Sequence, residues 1–141
     1  MSRVARPFVV LDTNVLVSGF LNPYGAPAAI LRLAVRGQIR LVYDARIFAE
    51  YTKVLLRPKF RLAEGLLRTV LDMLREQGLG VVALPLPVRL PDPADEPFLE
   101  VALAAGRDVP LITGNVRHFP ENLRQGVPIV TPREWLDRYR E

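Results

Sequence analysis

The chain has 141 residues, half of them apolar, with a mean hydropathy of +0.15, which suits one folded domain with a sizeable core and excludes a disordered chain. It has no cysteine, so disulfides, thiol catalysis and cysteine-held zinc are excluded, and any metal must be held by oxygen or by the lone His118. The net charge of +4 rests on 17 arginines and two lysines, Lys53 and Lys59; it favours a polyanionic partner such as nucleic acid, although base composition or heat adaptation produces the same enrichment.

Residues 1–6 run straight into a strand without a signal-peptide core, and no apolar run approaches the length of about 18 residues that a membrane helix needs, so a cytoplasmic protein is expected. Phe8-Val9-Val10-Leu11 reads as a first strand. Helices follow at about 14–21 and 26–36, split by Asn22-Pro23-Tyr24-Gly25. Arg40 to Tyr43 is a second strand, and Asp44 can cap a helix over 45–56. Arg57-Pro58-Lys59 breaks the pattern before a helix expected over 61–77. Gly78 and Gly80 flank its stop, Val81 to Leu84 reads as a third strand, and a proline-rich connector leads to a helix over 95–105. Val109 to Thr113 and Pro128 to Val130 are the last strands, and a closing helix over 131–140 is capped by Thr131. Apolar strands alternating with helices predict an α/β fold, with a parallel sheet covered on both faces.

Asp12 stands where the first strand breaks into a helix. Ligands of open parallel sheets sit outside the carboxyl ends of strands, and an acid beside a core strand is costly unless something pairs with it. Glu50 falls on the edge of the apolar stripe of the helix after strand two; taken alone it reads better as an ordinary helical glutamate paired with Lys53 or Arg57, and only its position in the helix that leaves strand two raises it. Asp95 shares a helical face with Phe98, Leu99 and Ala102 and is expected to point inward, whereas Glu96 and Glu100 are expected to point elsewhere. Asp92 and Asp95 also suit helix capping, the better reading for Asp92 and an even one for Asp95. Thr113 and Asn115 end strand four at the same sheet edge as Asp12, within reach of a bound water or phosphate, though Gly114-Asn115 also suits a plain turn. His118 reads as a surface or packing residue. Asp12, Glu50 and Asp95, brought together, would repel one another unless neutralised; oxygen donors in that number suit Mg²⁺ or Mn²⁺, and the chemistry implied is metal-assisted phosphodiester hydrolysis.

These segments, in this order, resemble the PIN domain, a family of metal-dependent ribonucleases that includes toxins of toxin-antitoxin systems. The resemblance is carried by Val9 to Ser18 with its Asp12-Thr13-Asn14 core, by Phe48 to Phe60 around Glu50, by Asp92 to Ala104, and by Leu111-Ile112-Thr113-Gly114-Asn115. It implies a three-layer α/β/α fold, a central, mostly parallel sheet of four to five strands, and an acidic Mg²⁺ or Mn²⁺ pocket. Asp12, Glu50 and Asp95 match the family's first three acids and Asp92 an extra acid. Thr13, Asn14 and Thr113 would orient substrate. The fourth acidic position, often aspartate in the family, is Asn115, which brings an amide oxygen without charge. Arg57, Lys59 and Arg61 are candidates for RNA contact, or else a solvated loop. The resemblance further implies a homodimer and, for toxin members, an antitoxin partner.

One other enzyme and two non-enzyme roles compete. A haloacid-dehalogenase-type phosphatase needs a second aspartate two positions after the first, where Asn14 stands. A nucleotide-binding regulator needs a Gly-rich phosphate loop after strand one, and none follows. The serious alternative is a PIN scaffold without catalysis, binding RNA or protein, with Asn115 as its mark.

Overall fold

The structure, a computed structural model, describes residues 6–141; residues 1–5, expected to precede the first strand directly, lie outside it. The described chain runs β1 (Phe8–Leu11), α1 (Thr13–Leu21), α2 (Ala26–Val35), β2 (Arg40–Tyr43), α3 (Ala45–Leu55), α4 (Glu64–Gln77), β3 (Leu79–Gly80), α5 (Glu96–Ala105), β4 (Leu111–Ile112), β5 (Ile129–Val130) and α6 (Pro132–Tyr139), with short 3₁₀ turns at Pro58–Phe60, Pro93–Asp95, Val116–His118 and Glu121–Leu123. The five strands form one sheet in the order β3-β2-β1-β4-β5, with every pair parallel. Val9, Val10, Leu41, Val42, Leu111 and Ile112 are inaccessible to solvent or nearly so, as central parallel strands covered on both faces must be. Burial of each such side chain contributes about 1.5–3 kcal/mol. Helix α5 lies on β1, β2 and β4, while α2 packs against α1, α4 and α6. No helix among the described residues is long and apolar enough to cross a membrane.

In this order β1 has β2 on one side and β4 on the other, and the chain winds outward from β1 in both directions. The carboxyl ends of β1 and β4 therefore flank the topological switch point, where open parallel sheets leave a crevice. Asp12 follows β1 and Thr113 follows β4 at that point.

Three local expectations are corrected. Helix α4 starts at Glu64 rather than 61, because Arg61 takes the left-handed conformation (φ 52°) that ends the 3₁₀ turn at 58–60. Strand three is displaced from 81–84 to 79–80. At Gly78 a Cβ would lie 2.5 Å from the Leu41 carbonyl oxygen, so glycine lets the chain enter the sheet as soon as α4 stops. The last backbone bond to β2 is Val81 N–H to the Tyr43 carbonyl. Beyond it β2 has already turned into α3 at Asp44, and Val82 and Leu84 stand 94 % and 83 % exposed. Third, Glu100 does not point away from the core. It is buried, accepting from the Leu86 N–H at 3.0 Å and from Arg46 at 2.7 Å. The connector carrying Leu86 and Leu90 folds over the side of α5 that the sheet leaves bare.

Candidate active site

Backbone bonds fix Asp12 before its side chain does anything. Its N–H donates to the Ile112 carbonyl at 3.0 Å, and its own carbonyl accepts from Val15 at 3.0 Å and from Leu16 at 3.4 Å, so the residue is clamped between β4 and the first turn of α1. Its side chain makes no cap bond to that helix. Instead Oδ2 accepts from the hydroxyl of Thr113 at 2.7 Å, and that same hydroxyl accepts the Asn115 N–H at 3.0 Å. Thr113 is fully buried, its own N–H held by the Val130 carbonyl. One threonine thus couples the loop after β4 to the acid after β1.

Glu50 reaches the same place from α3. Its Oε2 accepts from the Thr13 hydroxyl, the residue after Asp12, and not from Lys53 or Arg57, with which it makes no ion pair among the described residues. Tyr51, the next residue, is fully buried and donates from its hydroxyl to the Leu11 carbonyl at 2.6 Å, tying α3 to the end of β1. Burial, followed by the nearby Asp12, Glu50 and Asp44 carboxylates, strongly raises the proton affinity of this phenol.

Asp95 ends the 3₁₀ turn before α5 and is half-buried. Its Oδ2 lies 3.2 Å from Nδ1 of His118. Burial raises the pKa of Asp12, opposed by the Thr113 hydroxyl and the Thr13 N–H, reinforced by Glu50 and eased by His118. Burial also raises that of Asp95, followed by the charge of Asp12; His118 lowers it and Asp92 raises it. Asp12, Glu50, Asp95 and His118 therefore share one electrostatic neighbourhood, with Asp12 at its centre.

The other expected residues lie around this centre or away from it. Asp92 is exposed and caps the turn, accepting the Ala94 N–H at 2.9 Å; it reaches Asp95 through charge alone. Asn14 and Asn115 have exposed side chains. Arg57, Lys59 and Arg61 are exposed on and beside the 58–60 turn, and among the described residues no hydrogen bond or ion pair joins them to the acids. His118 is exposed, as expected of a surface residue, and it also lies against Asp95. No local pattern in the chain marks that contact; Phe119, one position on, is wholly buried and anchors the 116–118 turn beside the end of β4.

Among the described residues no three Asp, Glu or His side chains are gathered tightly enough to form a preformed metal shell. The donors nonetheless suit a hard divalent cation. They are carboxylates, each with one oxygen already taken by a hydroxyl or by imidazole, and their mutual repulsion is what a cation relieves. Mg²⁺ keeps several of its waters and needs only one or two carboxylates, so a closed protein cage is not required of it.

Fold and site together define an α/β protein with an acidic, hydroxyl-braced centre at the switch point of a parallel sheet. A family model described as the PIN domain matches residues 8–117, and the chain belongs to that family, one of metal-dependent nucleases. The match runs from β1 through the loop after β4. No curated protein matches the chain.

Proposed function

We propose that this protein is an endoribonuclease that hydrolyses RNA phosphodiester bonds with Mg²⁺ or Mn²⁺, and that it serves as the toxin of a toxin-antitoxin pair. The nuclease reading is supported by the hydrogen bonds that tie Asp12 to Thr113, Glu50 to Thr13 and Asp95 to His118 at the sheet's switch point, together with the charge coupling of Asp12 to Glu50 and to Asp95. A binding surface for a polyanion has no use for acids that repel phosphate. Asp12, Glu50 and Asp95 would hold the cation, with Asp92 adding charge at the rim. The cation supplies Lewis-acid chemistry, acidifying water and offsetting charge at the phosphate.

The chain's own residues have assignable parts. Thr113 and Thr13 fix one oxygen each of Asp12 and Glu50, which leaves the second oxygen of each carboxylate for the ion or its waters. Asn14 and Asn115, exposed at the rim, offer amide donors to a phosphate or water. Arg57, Lys59 and Arg61 would meet the RNA backbone. The toxin role, an antitoxin covering the site, and a homodimer rest on the resemblance alone.

Asn115 supports a second reading, a PIN domain that binds RNA or protein without cutting it, because the position brings no charge to the cluster. Single-stranded RNA incubated with the purified protein separates the two. The nuclease reading expects cleavage with Mg²⁺ or Mn²⁺, none with chelator, and loss of at least about 10²-fold in rate for Asp12→Asn or Asp95→Asn, the scale for removing a group that stabilises a transition state. RNA retained without cleavage would favour the binding module, and cleavage that survives both substitutions would overturn the assigned site. A parallel DNA substrate decides the preference between the two nucleic acids.

A further inference from the structure

His118 lies one residue beyond the matched family span and carries the only imidazole in the chain. Its backbone is held from both sides. Its N–H donates to the Asn115 carbonyl at 3.0 Å, and the neighbouring Phe119 is buried completely, with its N–H on the Val116 carbonyl and its carbonyl accepting from Arg124 at 2.7 Å. The turn is locked to the Asp12 end of the site as well, because the Asn115 N–H donates to the Thr113 hydroxyl that in turn donates to Asp12. A side chain on a turn pinned in this way has a fixed origin, which is the condition for placing another group accurately.

The side chain uses that origin to reach across to a different element. Nδ1 stands 3.2 Å from Oδ2 of Asp95, 23 positions earlier and at the head of α5, while about half of the imidazole remains exposed. When Asp95 is ionised it has no proton to give, and the contact then requires the tautomer or charge state with Nδ1–H as donor. Among the described residues Oδ1 of Asp95 takes no hydrogen bond.

Building on the nuclease reading above, we infer that His118 is a positioning residue. Its Nδ1–H would hold Oδ2 of Asp95 and leave Oδ1 for a bound cation, so that the loop after β4 would contribute to the metal centre through imidazole where Asn115 brings no carboxylate. Outer partners of this kind orient ligands and tune metal affinity by about 10–100-fold. The inference specifies a ring nitrogen, and side-chain geometry can test it. The amide nitrogen of asparagine falls near the place of Nδ1, whereas that of glutamine reaches toward the place of Nε2.

The test measures Mn²⁺ affinity of the full chain by calorimetry or by electron paramagnetic resonance, with RNA cleavage followed in parallel. Thermal melts check that each variant folds, which the exposure of His118 favours. His118→Ala should weaken Mn²⁺ binding by about 10-fold or more, His118→Asn should recover most of the loss, and His118→Gln should not. The inference is overturned if the alanine variant binds Mn²⁺ as the parent does, or if glutamine restores binding as well as asparagine. A parent protein that neither binds Mn²⁺ nor cleaves RNA would overturn the proposed function together with this inference, whereas normal parent activity beside unaffected variants overturns the inference alone.

Discussion

At the scale of single residues, Asp12 is held at a cost to stability. Burial and the charge of Glu50 raise its pKa above the unfolded value, so the unfolded chain loses its proton at a lower pH than the folded one. The folded state carries no penalty below the unfolded pKa and bears the full penalty once pH has risen through the folded value. Asp12→Asn keeps an acceptor for the Thr113 hydroxyl and removes the charge. It should therefore raise the melting temperature at neutral pH while it removes activity, and the gain should shrink as pH falls through the carboxylate range. Melting curves across that range check this, and a variant less stable than the parent at neutral pH would refute it. Asp12 was legible in the sequence because a strand-ending acid stands out against an apolar run. His118 was not, since nothing local shows that a turn residue will meet Asp95.

At the scale of elements, the connector between β3 and α5 depends on Glu100. That carboxylate accepts the Leu86 N–H and pairs with Arg46, which also pairs with Asp44 at the start of α3. Three segments thus meet at one buried acid. Glu100→Ala strands the Leu86 N–H and should destabilise the protein by about 1–3 kcal/mol, the cost of an unsatisfied buried group. Urea unfolding measures that loss, and faster hydrogen exchange at Leu86 would localise it; an unchanged midpoint would show the network to be dispensable. A helical wheel misplaced Glu100 because it assumes one buried face, whereas α5 is covered by the sheet on one side and by the connector on the other. Strand three was misplaced for a related reason. Val81 to Leu84 has the composition of a strand, but a strand needs a neighbour, and β2 ends before most of that run could pair.

At the scale of the whole molecule, a net charge of +4 accompanies an acidic centre. On the proposed ribonuclease function, RNA binding should weaken with salt, and for single strands each phosphate contact contributes about 0.7 to the slope of log affinity against log salt. Replacing Arg57, Lys59 and Arg61 together by alanine should lower the slope by about 2 if all three touch the backbone. Filter binding across a salt series measures it, and an unchanged slope would return these residues to the role of a solvated turn.

The sequence by itself determined the alternation of strands and helices and the parallel sheet, and it singled out three acids as candidates, because periodicity, capping residues and a charge beside an apolar strand are local signals. The order β3-β2-β1-β4-β5, the threonine that links Asp12 to the loop after β4, the approach of His118 to Asp95 and the burial of Glu100 were decided by tertiary structure. Each depends on which segments become neighbours in space, and that is set by packing over the entire core rather than by any one stretch of chain.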